Sequence, residues 1–279
     1  MKKKKGTTYQ PQPQPPVQPS LVTVELGRGR VTLGNAQHCG ARPYQEDSFG
    51  FSSIDRVQTL QKGLLAVLAD GMGGLQNGKA VSNDTVMNLL NWFNNPLSVC
   101  RTAEDLQGAV RAINNSICDV YCSDGRISSG STIVCALVQD GLLHWLCIGD
   151  SRLYLKRNGR LHPVNEDHDY LNQLLEQVLD GTLPAAEAFA DPNQERLAEC
   201  IGKRDIIRID YSKRGYRLQN GDSLVLCSDG VYNALTPTEF AAMITEDPMA
   251  SCDNIVRQIA AKGLPHQDNN TIIVLNYKE

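Results

Sequence analysis

The stretch Leu64-Leu65-Ala66-Val67-Leu68-Ala69-Asp70-Gly71-Met72-Gly73-Gly74 decides the fold of this chain. Its first six residues are all apolar, and such a run beside glycines predicts a strand that is buried on both faces. Asp70 follows the run directly, and three of the next four residues are glycines. A carboxylate at the edge of a core is costly unless it has a partner, so Asp70 indicates either a simple turn or a functional site.

Two further apolar runs end in the same way. Residues 142–149 lead into Asp150, and residues 223–228 lead into Asp229-Gly230. The pattern predicts three strands that deliver three carboxylates to one edge of a sheet.

Composition excludes several classes of protein. Hydrophobic residues make up 41% and charged residues 21%, which is ordinary for a soluble globular protein. A net charge of -4 argues against a general nucleic-acid binder. No apolar run approaches the ~20 residues that a membrane span needs. The basic residues 2–5 are not followed by the apolar segment of a signal peptide, so we expect a cytoplasmic protein.

The nine cysteines are an odd number and lie mostly inside apolar runs, which predicts free thiols in a reducing compartment. Cys118 and Cys122 share a helix face, but no CxxC motif or His pair supplies two further zinc ligands. Residues 1–20 are rich in Lys, Gln and Pro and predict a disordered tail. Residues 21–279 contain no linker and predict a single domain.

Turn and cap signals indicate the fold class. The dipeptides Asp140-Gly141 and Asn158-Gly159 predict tight hairpins and therefore antiparallel sheets. Thr102 and Thr236 are typical helix caps, the latter followed by Pro237. Further helices are expected from the Gly-rich loop to Pro96 and over residues 251–262, with an irregular insert over 169–205. Long helices and hairpin strands in separate parts of the chain predict an α+β fold in which helices cover antiparallel sheets.

In antiparallel sheets the end of one strand lies beside the start of the next. The acidic residues that share one edge on this argument are Asp70, Asp150, Asp229, Glu46, Asp47 and Asp268. Two carboxylates 4 Å apart repel by roughly 4 kcal/mol at an effective dielectric of 20. Several such pairs exceed half of a typical stability of ~5–15 kcal/mol. Either the acids point apart, or divalent cations hold them, and oxygen-only ligands favour Mg²⁺ or Mn²⁺.

The motifs, in their order, resemble those of one known family. They are Arg42-x-x-x-Glu46-Asp47, Asp70-Gly71-Met72-Gly73-Gly74 with Gly78, Ala80 and Ser82, Gly130-Ser131-Thr132, Gly149-Asp150-Ser151-Arg152, Gly221-Asp222 with Ser228-Asp229-Gly230, and Asp268-Asn269-x-Thr271. Over about residues 34–276 the chain resembles the metal-dependent, type-2C family of Ser/Thr protein phosphatases (PPM) in its bacterial form. The resemblance implies two packed antiparallel β-sheets flanked by helices, an α-β-β-α sandwich, with a flap insert at about 168–205.

The resemblance also implies the chemistry. A pair of Mn²⁺ or Mg²⁺ ions would sit at one end of the sandwich, and a hydroxide bridging them would attack phosphoserine or phosphothreonine directly, without a phosphoenzyme. The implied metal ligands are Asp47, Asp70, the Gly71 carbonyl, Asp229 and Asp268, with Asp70 bridging the two ions and Glu46 acting through bound water. Arg42 would hold the substrate phosphate, which suits the fork of a guanidinium. The implied partners are phosphorylated protein substrates of a Ser/Thr kinase, with no nucleic acid and no membrane span, and the chain is expected to be a monomer.

The chain departs from the family pattern at several positions. Met72 stands where many eukaryotic members have a His proposed as general acid, so the leaving group would take its proton from a bound water. Asn233 stands where many members have an Asp for a third, weaker metal, which leaves a third site with Asp150 open. Tyr44-Gln45 replaces the more usual text before Glu46, and we expect this to be tolerated.

Other functions are also considered. Gly73-x-x-x-x-Gly78-Lys79 is close to a nucleotide-binding P-loop but has Ala80 where a Ser or Thr hydroxyl should reach Mg²⁺. Cysteine-phosphatase chemistry needs Arg six residues after a Cys, and no Cys here has one. An inactive phosphatase fold used as a binding module is the alternative from another class, although such proteins usually lose acids that are retained here. His144 is expected to be a packed, hydrogen-bonded core residue and His168 a solvated loop residue.

Overall fold

The computed structural model describes residues 22–72, 77–122, 129–194 and 196–279. The predicted tail at 1–20 and Gly73-Gly74 lie outside the described residues. In the described part the strands are β1 Val22–Glu25, β2 Arg30–His38, β3 Ser48–Phe51, β4 Leu64–Ala69, β5 Ile133–Gln139, β6 Leu142–Ile148, β7 Arg152–Arg157, β8 Arg160–Pro163, β9 Asp210–Tyr211, β10 Tyr216–Arg217, β11 Ser223–Cys227 and β12 Asn270–Lys278. The helices are α1 Arg56–Lys62, α2 Gly78–Asn94, α3 Ala103–Tyr121, α4 Tyr170–Leu179, α5 Ala185–Ala190, α6 Asp229–Tyr232, α7 Pro237–Met243 and α8 Pro248–Ala261.

The strands form two antiparallel sheets. The first has the order β1-β2-β12-β11-β7-β8, and the second has the order β10-β6-β5-β4-β3, with β9 also paired to β6. The predicted hairpins join β5 to β6 and β7 to β8. Asp140 and Asn158, at φ 50° and 52°, and the glycines after them all have positive φ, as the favoured two-residue hairpin turns require.

Three apolar layers hold the sandwich together. In β4, Leu64, Ala66 and Leu68 pack between the two sheets, and the alternate residues pack against α2 and α3. The outer face of the first sheet packs against α7 and α8 through Phe240, Ile255 and their neighbours. Strand β4, which the sequence predicted to be buried on both faces, therefore lies in one of the two central sheets of an α-β-β-α sandwich. The expected fold class is confirmed.

Several element bounds differ from the expectation. The last helix begins at Pro248 rather than at residue 251, because the Asp247 side chain accepts the Ala250 amide and Pro248 fits the first helical turn. Helix α1 was not expected. It is short, and Asp55 caps it by accepting the amides of Val57 and Gln58. The irregular insert contains two helices, α4 and α5.

The nine cysteines are unpaired, eight of them buried and Cys39 exposed. Among the described residues, no helix combines the length and the apolar character that a membrane crossing demands.

Candidate active site

The carboxylates lie at one end of the sandwich because antiparallel neighbours meet there. Ser48 at the start of β3 pairs with Ala69 at the end of β4, which brings Asp47 beside Asp70. In the other sheet, Cys227 at the end of β11 pairs with Ile272 near the start of β12.

Asp47 connects the two sheets. It precedes β3 of the second sheet, yet its Oδ2 accepts hydrogen bonds from Thr271 Oγ1 at 2.6 Å, in β12 of the first sheet, and from Ser228 Oγ at 2.9 Å, directly after β11. The side chain is fully buried, and its Oδ1 has no hydrogen-bond partner among the described residues. Burial raises the pKa of Asp47, against the two hydroxyl groups that stabilise its charge.

Asp70 is held by its backbone rather than by its side chain. Thr132 Oγ1 accepts the Asp70 amide at 2.9 Å, and the Asp70 carbonyl accepts the Thr132 amide at 2.8 Å and Ser131 Oγ at 2.7 Å. Burial and then the neighbouring carboxylates raise the pKa of Asp70 well above its usual value. Those carboxylates are Asp47, Asp229, Asp150 and Asp268. Four of the five other acids that the sequence predicted at this edge thus act on Asp70, and Glu46 is not among them.

Asp229 and Asp150 are half-buried members of the cluster. Asp229 is the first residue of α6, and its Oδ1 also has no hydrogen-bond partner within the described ranges. Burial, followed by Asp268 and Asp47, raises the pKa of Asp229 to about 6. Burial, followed by Asp229, raises the pKa of Asp150 to about 7. Asn233, by contrast, is exposed at the end of α6.

Arg42 and Asp268 form the exposed rim of the cluster. Arg42 Nη2 donates to Asp268 Oδ2 at 2.7 Å, and both side chains are partly exposed. Asn269 ties this rim to the start of β3, because its Oδ1 accepts the Glu46 amide at 2.7 Å and its Nδ2 donates to the Cys39 and Tyr44 carbonyls. The contact with Asp268 uses one of the five N–H donors of Arg42 and leaves the others for a ligand.

The loop after Asp70 fits closely against its neighbours. A Cβ on Gly71 would lie 2.5 Å from the Gly78 carbonyl oxygen and 2.7 Å from the Glu46 carbonyl oxygen. A Cβ on Gly78 would lie 3.0 Å from Glu46 Oε1. Glycine at 71 therefore lets this residue approach the Glu46 and Gly78 backbones, and glycine at 78 lets the start of α2 approach the Glu46 side chain.

The donor set suits hard divalent cations. The cluster offers only oxygen atoms, and two of them, Oδ1 of Asp47 and Oδ1 of Asp229, are buried without hydrogen bonds in the described structure. Within the described ranges, no three His, Cys, Asp or Glu side chains already form a ligand group around one point. Ser228 and Thr271 engage Asp47, and Arg42 engages Asp268, so bringing these oxygens to one ion requires side-chain rotation.

Two features of the site were missed by sequence reasoning. Lys79 Nζ donates to the Asp47 carbonyl at 2.7 Å and to Ser48 Oγ at 3.1 Å, so this lysine holds the segment before β3. In the sequence, Lys79 follows Gly78 and was considered only as part of an incomplete nucleotide-binding P-loop. The expectation for His168 was wrong, because His168 is buried and its Nδ1 accepts the Gly149 amide at 3.2 Å. His144 is buried as expected, although its Nδ1 has no hydrogen-bond partner among the described residues.

Comparisons with known proteins agree with this geometry. The family model for protein phosphatase 2C matches residues 37–259. Protein phosphatase PhpP of Streptococcus pneumoniae is 30% identical over 220 residues, which cover 77% of this chain and 86% of the relative. The serine/threonine phosphatase of S. agalactiae is similar in structure, with a TM-score of 0.71 and 25% identity over 89% of this chain and 100% of that one.

A third similar structure is the catalytic domain of the serine/threonine phosphatase PstP in complex with two manganese ions. Its TM-score is 0.68, with 24% identity over 89% of this chain and 99% of that chain. At this identity the likeness shows the fold. With the match over most of its length, this chain belongs to the protein phosphatase 2C family of bacterial serine/threonine phosphatases.

Proposed function

We propose that this protein hydrolyses phosphoserine and phosphothreonine in protein substrates, using two divalent cations, Mn²⁺ or Mg²⁺. The observation that carries the proposal is the half-buried Asp70, whose pKa is raised by four further carboxylates. Like charges at this density are costly in the interior, and cations that bind them remove the cost.

The residues proposed to hold the cations are those of the cluster. They would be Asp70 as the shared ligand, the Gly71 carbonyl, Asp47, Asp229 and Asp268, with Glu46 as an indirect ligand. Asp150 would serve a third, weaker site. Divalent cations in such a pair lower the pKa of a bound water and offset negative charge on a phosphate group.

The chain's own residues bind and orient the substrate. Arg42 lies on the exposed rim and has free N–H donors, so we assign it to the phosphate oxygens. In the proposed reaction, a water oxygen forms the new bond to phosphorus and the bond to the serine or threonine oxygen breaks. The leaving oxygen takes a proton from water, since Met72 offers none. Ser228 and Thr271 both donate to Oδ2 of Asp47, and its Oδ1 has no hydrogen-bond partner among the described residues.

The relatives and the rest of the chain support the proposal. PhpP and other similar proteins are named as protein or serine/threonine phosphatases, and the similar PstP structure contains two manganese ions. We therefore infer phosphorylated products of a Ser/Thr kinase as substrates of a monomeric enzyme. Nine unpaired cysteines suit a reducing cytoplasm. We propose that residues 21–279 form one domain with 168–205 as a flap, because the bridge Ser131↔Ile201 joins this segment to the residues that hold the Asp70 backbone.

The test is phosphate release from p-nitrophenyl phosphate and from a phosphothreonine peptide. We expect turnover with Mn²⁺, none with EDTA, and a loss on the order of 100-fold or more in Asp70→Asn. Asp119→Asn is the matched control, since Asp119 is exposed and pairs only with Arg204. Turnover that survives both EDTA and Asp70→Asn would refute the proposal. A folded protein that binds phosphoprotein without turnover would indicate the binding module instead.

A further inference from the structure

A large cleft opens between α4, β8 and α7. Its volume is about 1210 Å³, above the roughly 300–1,000 Å³ of typical small-molecule pockets. A cleft of this size has room for a polypeptide segment.

The inner end of the cleft adjoins the carboxylate cluster. Arg152 lies 3.6 Å over the ring of Tyr232 and pairs with Asp167 at 2.6 Å. The Tyr232 hydroxyl donates to the carbonyl of Asp150 at 3.1 Å. A polypeptide with its phosphorylated residue at the cluster therefore finds the cleft directly beside it.

The outer part of the cleft exposes large apolar side chains. Leu179, at the end of α4, is 87% exposed, and Ile207 is 77% exposed, although both line the cleft. Leu235 and Phe240 also line the cleft and are buried. Exposed apolar groups on a concave surface lose water favourably when an apolar partner covers them.

The charge of the cleft is negative. Four carboxylates line it, and its two guanidinium groups are already paired, Arg152 with Asp167 and Arg208 with Glu176. The other two carboxylates, Glu166 and Asp210, have no ion pair among the described residues. Burial lowers the pKa of His168, which keeps this lining residue neutral at pH 7. Two negative charges thus remain uncompensated, and they favour a basic partner.

We propose that this cleft binds the substrate polypeptide next to the phosphorylated residue and selects segments that combine an apolar side chain with Lys or Arg. The inference rests on the proposed phosphatase function and adds the class of sequence that is dephosphorylated. Leu179 and Ile207 contact the apolar side chain, and Glu166 and Asp210 attract the basic one.

The test compares phosphothreonine peptides that differ only in their flanking residues. One flanking position is Leu or Ser and another is Arg or Glu, on both sides of the phosphothreonine, which gives four peptides. The kcat/KM for each peptide is divided by the kcat/KM for p-nitrophenyl phosphate. For the wild type we expect the highest ratio with Leu and Arg, and an Arg preference that falls in high salt. Glu166→Lys should reduce the Arg-over-Glu preference by about threefold or more, as expected for exposed charge pairs. Leu179→Asp should reduce the Leu-over-Ser preference by a similar factor.

Matched controls lie outside the cleft. Leu97→Asp replaces a leucine that is 90% exposed, and Glu246→Lys replaces a glutamate whose side chain is 93% exposed. Both should keep the wild-type ranking of peptides, and thermal unfolding verifies that all variants fold. If the aryl phosphate and every peptide remain unhydrolysed, the proposed function fails. If the substrates are hydrolysed but the cleft variants rank the peptides as the controls do, the cleft inference fails. A dimer that Leu179→Asp dissociates would show that a second copy covers the cleft, which would also overturn the inference.

Discussion

Replacing Asp229 by Asn should stabilise the metal-free protein at pH 8 and abolish its response to Mn²⁺. Burial and then two neighbouring carboxylates raise the pKa of Asp229 from 3.8 to about 6. A carboxyl whose pKa is raised in the folded protein binds protons more tightly there than in the unfolded chain. Its ionisation therefore opposes folding, and stability falls as the pH rises from about 4 through 6.

The size of the effect follows from that difference. A shift of about two pKa units corresponds to about 3 kcal/mol, of which roughly half is present at pH 5 and nearly all at pH 8. Asn at the first residue of α6 gives up a favourable charge at the helix N-terminus, about 0.3–1 kcal/mol. The net gain of about 2 kcal/mol corresponds to a Tm increase of about 4–8 °C for a domain of this size.

The assay is thermal unfolding at pH 5 and pH 8, with EDTA and with Mn²⁺. The metal-free wild type should have a lower Tm at pH 8 than at pH 5, and Mn²⁺ should raise the Tm at pH 8. Asp229→Asn should exceed the wild type without metal, by more at pH 8 than at pH 5, and show no Mn²⁺ response. Asp119→Asn should behave as wild type, because Asp119 is exposed. A metal-free wild type that is as stable at pH 8 as at pH 5, or an Asn variant that is less stable at pH 8, would refute the electrostatic reasoning.

Four further predictions concern two glycines, one threonine and the cysteines. Gly71→Ala should lower the free energy of unfolding, measured in urea, by about 1–3 kcal/mol, because the new Cβ would lie 2.5 Å from a backbone carbonyl oxygen. Calorimetry should show weaker Mn²⁺ binding by this variant. Gly108→Ala, where a Cβ meets no atom within 4 Å, should instead stabilise α3 by up to ~1 kcal/mol. Thr271→Val should cost about 1–3 kcal/mol and reduce Mn²⁺ affinity, because Asp47 loses a hydroxyl donor while the side chain keeps its shape. A thiol reagent at pH 8 should label one cysteine quickly in the native protein, and Cys39→Ser should remove that signal, since the other eight are buried.

Much of the fold could be predicted from the sequence because its signals are local. The hairpin dipeptides fix the turns, and the run before Asp70 can only be a strand with apolar surroundings on both sides. The cap at Asp247 is also a local signal. Apolar periodicity alone does not reveal the start of α8, because the helix begins at Pro248, before the periodic apolar residues.

The site could be predicted only in part because its partners are distant in the sequence. Antiparallel adjacency brings Asp47 to Asp70, and this was foreseeable from strand ends. The bonds from Ser228 and Thr271 to Asp47 span 181 and 224 residues, and no local pattern specifies them. His168 was misjudged for the same reason, since only the packed structure shows that the Gly149 amide points at its ring.

Asp47 is attached to one sheet by its backbone and to the other by its carboxylate. Neither half of the sandwich can therefore carry a working centre alone, and a graft of either sheet would lose it. Release of the cations should weaken the contact between the two sheets. Amide hydrogen exchange should then become faster at the facing ends of both β3 and β12. The metal centre would thus also hold the two sheets together, and the enzyme would be most rigid with its cations bound.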